Sequence, residues 1–308
     1  MRRTLKTTAE FNGVGLHGGQ PVWMSVAPAP AGTGITFIRI DVPVEHQTIP
    51  AHHDLVTDTQ LCTRLTNEHG VSVGTVEHLM AAIAGCGIHD AIIALDGPEV
   101  PIMDGSSAPF VEGIVKAGLS TTRDGVVGIK ILRTVEVRDG DKMARLEPSD
   151  VFEMRFDIEF ADRAIGAQSG DCKLVNGAFA SELSDCRTFG HLSEVEYLRS
   201  IGLARGGSLQ NAIVVDRGRV LNPEGLRRPD EFVRHKMLDA IGDLALAGAP
   251  IIGRYVGVKA GHGMTNRLLH ALFASPDAWT YAPVQPGLGL DAMSAALPRT
   301  GEVTALAG

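Results

Sequence analysis

The clearest structural signal in the chain is the segment EFVRHKMLDAIGD, residues 231–243. Its apolar residues recur with the period of a helix and no proline interrupts them, so we predict a helix over 231–246. His235 and Asp239 are four residues apart, which places both side chains on one face of that helix. Asp243 extends the same face by another turn. This helix is therefore a candidate metal-binding element.

A second helix is predicted to begin at the segment TVEHLM, residues 75–80, with Thr75 as its N-cap and glycines 85 and 87 at its end. His78-Leu79-Met80 repeats the His-x-Met pattern of His235-Lys236-Met237, 157 positions later (235 minus 78). Around both helices the predicted order is sheet, helix, strand, helix. This repeat favours two similar α+β layers that face each other across a ligand cleft.

We therefore predict an α+β fold of two similar domains, residues 1–122 and 123–275, each a sheet packed on helices. The polar, turn-rich segment 118–124 separates them. Strands are predicted at 4–10, 22–27, 35–40, 91–95, 126–131, 134–138, 152–160 and 251–259, and further helices around 110–115, at 194–200 and at 265–273. A strand-helix-strand insertion is expected near 194–222, and residues 276–308 are expected to form an irregular tail.

Composition limits the class of protein. The chain has 308 residues, which suits two ordinary domains. Its net charge of -8 argues against a nucleic-acid-binding surface, and its 4 cysteines show no C-x-x-C spacing, which argues against a disulfide framework or a cysteine zinc site. No window approaches about 18 uninterrupted apolar residues. These features predict a soluble, cytoplasmic protein with reduced cysteines.

Three residues form a candidate metal-binding set. His78, His235 and Asp239 supply two imidazoles and one carboxylate, a zinc set that leaves a fourth position open for water. Glu77, next to a ligand, could act as general base, and His262, between glycines, could stabilise an oxyanion or protonate a leaving amine. Spacing alone leaves an alternative open for each of these assignments. His235 and Asp239 could be a hydrogen-bonded surface pair, Glu77 could stand in the first turn only because the helix dipole favours an acidic residue there, and His262 could be a turn residue without a role.

Two other patterns resemble motifs without their context. The segment GVGLHG, residues 13–18, formally matches G-x-G-x-x-G, but Gly19-Gln20-Pro21 leads into a strand, whereas a dinucleotide site requires a helix there. His52-His53-Asp54 resembles a metal cluster, yet consecutive residues in a strand or loop point to different sides and rarely bind one ion together. We interpret this segment as a solvated loop.

Six motifs together resemble one known family, the UDP-3-O-acyl-N-acetylglucosamine deacetylases of bacterial lipid A synthesis. They follow the family order across roughly residues 3–275, and the 13-residue segment is highly specific. The motifs are GVGLH at 13–17, TVEHL at 75–79, PIMDGS at 101–106, RTFG at 187–190, EFVRHKMLDAIGD at 231–243 and GH at 261–262.

The resemblance implies a two-domain α+β fold with zinc held between the domains by His78, His235 and Asp239. It implies that Glu77 is the general base and that His262, oriented by Asp243, stabilises the oxyanion or donates the proton. Further residues are expected near the substrate: Thr188 at the oxyanion, Phe189 against the sugar, Lys236 and Lys259 at the diphosphate, and Cys62 and Gly207 in the pocket. The insertion corresponds to an apolar passage for the acyl chain, with Leu198, Ile201, Leu203, Ala212 and Val214 available to line it.

The implied activity is zinc-dependent hydrolysis of the 2-acetamido group of UDP-3-O-acyl-N-acetylglucosamine, which releases acetate. His/carboxylate ligands also accept Fe²⁺. The expected partner is this acylated UDP-sugar, with no nucleic acid, no stable membrane insertion and no obligate protein partner. Two alternatives are a metal-dependent hydrolase of another amide and a catalytically inactive paralogue that binds the nucleotide sugar.

Overall fold

The computed structural model describes residues 1–175 and 177–284. In the first half, the elements are β1 (Arg3–Leu5), β2 (Ala9–Val14), β3 (Pro21–Pro28), β4 (Ile35–Arg39), β5 (Thr48–Pro50), β6 (Val56–Asp58), β7 (Arg64–Thr66), β8 (Ser72–Val73), α1 (Glu77–Gly85), β9 (Ala91–Leu95), α2 (Ala108–Ala117) and β10 (Leu119–Thr121). Two 3₁₀ turns lie at Val44–His46 and His53–Leu55.

In the second half, the elements are β11 (Val127–Ile131), β12 (Val135–Asp139), β13 (Lys142–Glu147), β14 (Glu153–Glu159), β15 (Ala167–Lys173), β16 (Phe189–His191), α3 (Leu192–Ser200), β17 (Ile213–Asp216), β18 (Arg219–Val220), α4 (Glu231–Ala245), β19 (Ile251–Ile252), β20 (Arg254–Val258), α5 (His262–Phe273) and β21 (Trp279–Pro283). A short π-helical turn covers Phe179–Leu183. Within the described residues, no helix is both long enough and apolar enough to cross a bilayer.

The two five-stranded sheets have the same topology. The strand order is β2-β3-β9-β4-β5 in one and β12-β13-β20-β14-β15 in the other. In each sheet the middle strand pairs in parallel with one neighbour, β9 with β4 and β20 with β14, and the remaining pairs are antiparallel. In each half, one helix precedes the middle strand and another follows it. The predicted α+β fold with two similar halves is confirmed.

Each sheet buries one face, as the alternation of side chains along a strand requires. In β14, Met154, Phe156 and Ile158 are buried and the residues between them are more exposed. The helices α1 and α4 pack against each other, and almost every residue of each is buried. These two helices form the seam between the halves.

Gly242 makes this close packing possible. A Cβ at this position would lie 2.0 Å from the carbonyl oxygen of Glu77, a distance at which one of the two helices would have to move. The glycine therefore allows the backbones of α1 and α4 to approach at the start of α1. This contact brings the residues at that end of α1 next to those of α4.

Thr75 is not the N-cap that the sequence predicted. Val76 holds the cap position of α1, and Thr75 has a left-handed backbone with φ of 58°. A β-branched residue is strained in that region, and such strain is concentrated at functional sites. The hydroxyl of Thr75 donates to Glu99 (3.4 Å), whereas an N-cap hydroxyl would accept from a backbone N–H of the helix.

Several predicted boundaries also differ. The segment 118–124 contains β10, which pairs with β1, and the strand predicted at 251–259 is divided at Gly253 into β19 and β20. The chain after Ala274 is not wholly irregular, because β21 pairs with β11 of the second half. The rest of the predicted tail, residues 285–308, lies outside the described residues. The division at 122/123 remains a proposal.

The insertion begins at Phe189, five residues before the predicted start. Its strands β16 and β17 are parallel, with α3 between them, and β18 is antiparallel to β17. The chain just before it is anchored by Arg187, whose buried guanidinium pairs with Glu231 (2.9 Å) and with Glu224 (2.6 Å). Because Glu231 begins α4, this ion pair fixes the insertion to the helix that carries His235.

Candidate metal centre and active site

The structure brings His78 of α1 together with His235 and Asp239 of α4. Their ligand atoms all lie within 4.8 Å of one another, and all three residues are buried. Asp239 Oδ1 is 3.4 Å from His78 Nε2 and 3.3 Å from His235 Nε2. Two ligands that each lie about 2.1 Å from a tetrahedral Zn²⁺ are about 3.4 Å apart. The spacing therefore fits a metal ion between the three side chains.

The hydrogen bonds around these residues support the same interpretation. Asp239 Oδ1 is buried without a hydrogen-bond partner, which is costly for a carboxylate unless a cation satisfies it. Lys236 Nζ donates to the other oxygen (2.7 Å). His235 Nδ1 donates to the carbonyl of Cys186 (3.0 Å), so its Nε2 lone pair faces the cluster, as in many metal sites. Burial lowers the pKa of His235 to about 3, which keeps the ring neutral.

A second group of side chains adjoins the cluster. His262, the first residue of α5, contacts Asp243 through Nδ1 (2.9 Å), and its Nε2 lies 3.9 Å from Glu77 Oε1. The backbone N–H of Thr63 donates to Glu77 Oε2 (3.0 Å), and its hydroxyl donates to Asp243 Oδ1 (2.6 Å). Thr63 thus links the two carboxylates. Sequence reasoning missed it, although its neighbour Cys62 was predicted to lie in the substrate pocket.

Glu77 and His262 differ in the cause of their pKa shifts. Burial raises the pKa of Glu77, and nearby Asp239 and Asp243 act in the same direction against the opposing effect of the histidines. Burial opposes the charge on His262, but Asp243 and Glu77 outweigh it and raise its pKa to about 9. At neutral pH His262 therefore carries a proton, and it does so beside a side chain whose pKa is shifted toward the range that acid–base chemistry uses.

Phe189 lies beside the cluster at the start of the insertion, and Thr188 is the residue before it. The backbone N–H of Thr188 donates to Gly105 (2.8 Å), and its carbonyl accepts from Ile213 (2.8 Å). The ring of Phe189 packs edge-on against Phe232, with centroids 4.9 Å apart, and its centroid is 6.1 Å from that of His235. Phe189 therefore adjoins α4, and the expected contacts of Thr188 with the oxyanion and of Phe189 with the sugar stay predictions.

The remaining predicted pocket residues have different surroundings. Lys259 Nζ lies 2.8 Å from Asp141 and 2.5 Å from Glu159, so two carboxylates already balance its charge. Cys62 is buried, and burial raises the pKa of its thiol to about 12, which keeps it protonated. Gly207 lies in the insertion and accepts a hydrogen bond from Arg199 (2.7 Å) at its carbonyl. None of these contacts tests a role in substrate binding.

The glycine-rich segment 13–19 joins strands β2 and β3, and no helix follows it, in agreement with the rejection of a dinucleotide motif. The carboxylate of Glu99, which sequence reasoning also missed, accepts from the backbone N–H groups of His17 (3.0 Å) and Gly18 (2.7 Å). A Cβ on Gly206 would lie 2.3 Å from the carbonyl oxygen of Gly15. This loop therefore packs directly on the insertion.

A large cavity lies away from these residues. It has a volume of about 1150 Å³ and is lined by residues such as Met80, Ile83, Ile241 and Leu244, in the later turns of α1 and α4. None of the predicted catalytic or metal-binding residues lines it. The candidate metal centre is therefore marked by the convergence of polar side chains at the beginning of α1 and not by this cavity.

The fold and the cluster define the class: an α+β protein of two topologically equivalent halves with a His-His-Asp group at their seam. The model of the UDP-3-O-acyl N-acetylglycosamine deacetylase family matches residues 2–274. The chain belongs to that family.

Three proteins named UDP-3-O-acyl-N-acetylglucosamine deacetylase are among its relatives. The one from Phenylobacterium zucineum (strain HLK1) is 53% identical over 278 residues, 90% of this chain and 95% of the relative. The one from Anaeromyxobacter dehalogenans (strain 2CP-C) is 47% identical over 297 residues, 96% and 95% of the two chains. The one from Pasteurella multocida (strain Pm70) is 48% identical over 284 residues, 91% of this chain and 92% of the relative.

Proposed function

We propose that this chain is a zinc-dependent deacetylase that hydrolyses the 2-acetamido group of UDP-3-O-acyl-N-acetylglucosamine. The products are acetate and the free amine, in an early step of lipid A synthesis. The observation that carries the proposal is the convergence of His78, His235 and Asp239 beside Glu77 and His262. The names of the relatives supply the substrate.

His78, His235 and Asp239 would hold the metal ion. Zn²⁺ suits two imidazoles and one carboxylate, and Fe²⁺ is a second ion that this ligand set accepts. When bound, the ion would polarise the acetamide carbonyl and lower the pKa of a water in its open position. The unpartnered Oδ1 of Asp239 is the atom that most needs such a cation.

The proton transfers would fall to Glu77 and His262. Glu77 accepts a proton from the attacking water, which its carboxylate can do when the backbone of Thr63 holds it in place (3.0 Å). His262 carries a proton at neutral pH because Asp243 faces its Nδ1. It would stabilise the oxyanion and protonate the leaving amine, with Thr188 as a further hydrogen-bond donor.

Other predicted residues would bind the substrate. Phe189 would pack on the sugar, Lys236 and Lys259 would meet the diphosphate, and Cys62 and Gly207 would line the pocket. For the acyl chain, the helix α3 buries none of its residues, and it leaves Tyr197 and neighbouring Ile201 exposed by 65% and 54%. Exposed apolar side chains of this kind suit an acyl chain. Leu198, Leu203, Ala212 and Val214 would extend the passage.

We propose that the protein acts in the cytoplasm on this small molecule, without a nucleic-acid partner, a stable membrane insertion or an obligate protein partner. Its net charge of -8 supports the exclusion of nucleic acid. An anionic nucleotide sugar needs only a few local cations. Lys236, at the cluster itself, is the best placed of these.

The test is to measure bound metal and acetate release from UDP-3-O-acyl-GlcNAc for the wild type and two variants. His235→Ala should lose one metal equivalent and the activity. Glu77→Ala should keep its metal while kcat falls by about 10²–10⁴-fold, the contribution of a general base. Glu68→Ala, at an exposed glutamate, is the control.

Loss of metal from Glu77→Ala but not from His235→Ala would overturn the assigned roles. Acetate release from a different amide, with none from this substrate, would favour another amide hydrolase. A wild-type protein that binds the nucleotide sugar but releases no acetate would identify an inactive paralogue.

A further inference from the structure

A second group of histidines surrounds a carboxylate at the 3₁₀ turn His53–Leu55. The ligand atoms of His52, His53 and Asp54 lie within 4.8 Å of one another. The prediction that these consecutive side chains diverge is therefore wrong. It assumed a strand or an irregular loop, whereas a 3₁₀ turn begins directly after His52 and brings the three side chains together.

The spacing of these atoms resembles that of the candidate catalytic centre. Asp54 Oδ2 lies 3.4 Å from His52 Nδ1, and Asp54 Oδ1 lies 3.2 Å from His53 Nε2. Charge-assisted hydrogen bonds are shorter, at about 2.7–2.9 Å, whereas ligands of one tetrahedral ion are about 3.4 Å apart. His52 Nδ1 accepts only a long hydrogen bond from the N–H of Asp54 (3.4 Å), so its lone pair already faces this side.

A third imidazole comes from the second half of the chain. His270, in the last turn of α5, has its Nδ1 3.8 Å from Asp54 Oδ1. Its ring meets that of His53 edge-on, with centroids 5.0 Å apart. The group whose ligand atoms lie within 4.8 Å of one another comprises His52, His53 and Asp54, and His270 stands at its edge, close to Asp54 alone. With His270 the set has three imidazoles and one carboxylate, which suits zinc and other imidazole-binding transition metals better than Mg²⁺ or Ca²⁺.

The surrounding structure holds the central ligand in place and leaves the others accessible. His53 is buried and stacks on Phe273, its N–H donates to Leu246 (2.9 Å), and its carbonyl accepts from Asn266 (3.1 Å). Its Nδ1 makes no hydrogen bond. Asp54 is 63% exposed, so an ion can reach the group from solvent.

We propose that His52, His53, Asp54 and His270 form a second transition-metal site. An ion bound there would connect the 3₁₀ turn of the first half to α5, the helix whose first residue is His262. The site would thereby brace the element that presents His262 to the candidate active site, without touching the reacting atoms. This proposal does not depend on the proposed function.

The test uses the untagged full-length protein and Zn²⁺ as the probe. After removal of bound metal, the protein is dialysed against buffered Zn²⁺ and the metal per chain is measured. The wild type should hold two equivalents, Asp54→Ala one, His235→Ala one and the double variant none. His69→Gln should keep both, because among the described residues the exposed His69 and its neighbours His46 and Glu68 do not form a group of three ligand atoms within 4.8 Å of one another.

Two results would overturn the proposal: a wild type that holds a single equivalent, or an Asp54→Ala variant that binds as much zinc as the wild type. His270→Gln is a second variant, at a half-exposed side chain, and should weaken zinc binding at this site at least tenfold while circular dichroism stays unchanged. Unchanged affinity in His270→Gln would also contradict it. If His235→Ala keeps both equivalents, the catalytic assignment fails, but a loss in Asp54→Ala would still support the second site.

Discussion

At the scale of single residues, Thr63 connects the two halves of the candidate active site. It belongs to the first half, its backbone holds Glu77, and its hydroxyl donates to Asp243 in the second half (2.6 Å). Thr63→Val should leave Asp243 Oδ1 without this donor and lower the free energy of unfolding by about 1–3 kcal/mol, the cost of an unsatisfied buried polar group. Chemical denaturation measures the change. Thr63→Ser keeps the hydroxyl and should match the wild type, and an equally stable Thr63→Val would contradict the assignment.

The pKa of His262 gives a prediction of its own. In the metal-free protein it should titrate near pH 9, and Asp243→Asn should move it toward the ordinary value of 6.5, because the carboxylate that stabilises the charged ring is gone. Histidine NMR titrations measure both values. Zinc loading of the wild type should lower the same pKa, since a nearby cation opposes protonation.

The same shift affects stability, with a sign that follows from linkage. The folded pKa of His262 lies above its unfolded value, so protonation favours the folded state. This contribution is fully present below about pH 6.5 and is lost as the pH rises through about 9. If the pKa of His262 is the same in the wild type and in Asp243→Asn, the role assigned to Asp243 is wrong.

At the scale of elements, the helices α1 and α4 pack so closely at Gly242 that no larger side chain fits there. Gly242→Ala would place a Cβ 2.0 Å from the carbonyl oxygen of Glu77, so the helices must separate. We expect a loss of about 1–3 kcal/mol in the free energy of unfolding, together with weaker metal binding, because the ligands lie on both helices. Denaturation curves and zinc titrations test this. Gly125→Ala is the control, because a Cβ at that position would meet no atom within 4 Å. If the two substitutions lower the free energy of unfolding equally, the close contact at Gly242 is not the cause.

The elements also show what the sequence could predict. The helix α4 and the strand β9 were predicted closely because a helical period and an apolar run are signals that packing rarely overrides. Strand β15 was missed because it lies at a sheet edge and reads AQSGDCK, with little apolar alternation. The segment 52–54 was misinterpreted because a strand or loop was assumed where the chain forms a 3₁₀ turn. Thr63 gave no signal, since its role depends on a partner 180 positions away.

At the scale of the whole molecule, the candidate metal connects the halves, so removing it should destabilise both. An ion that binds only the folded state, at a thousandfold excess over Kd, stabilises it by about 4 kcal/mol. Calorimetry of the Asp54→Ala variant, which retains only the candidate catalytic metal site, should show a Tm that falls on chelation and recovers with Zn²⁺. Chelation and Zn²⁺ addition should leave the Tm of the Asp54→Ala/His235→Ala double variant unchanged. A Tm shift in that double variant would contradict the assignment.

The repeated strand order has an evolutionary consequence. Two equivalent units that meet along paired helices form the arrangement of a symmetric dimer, in which each copy supplies the same residues to the shared interface. At the 157-residue offset, His78 corresponds to His235, but Asp239 corresponds to Ala82. A symmetric dimer of identical subunits would present two equivalent histidines across its axis. Asp239 has no counterpart in the first half, so its presence requires the two copies to have diverged. Covalent fusion of the halves would have allowed that divergence.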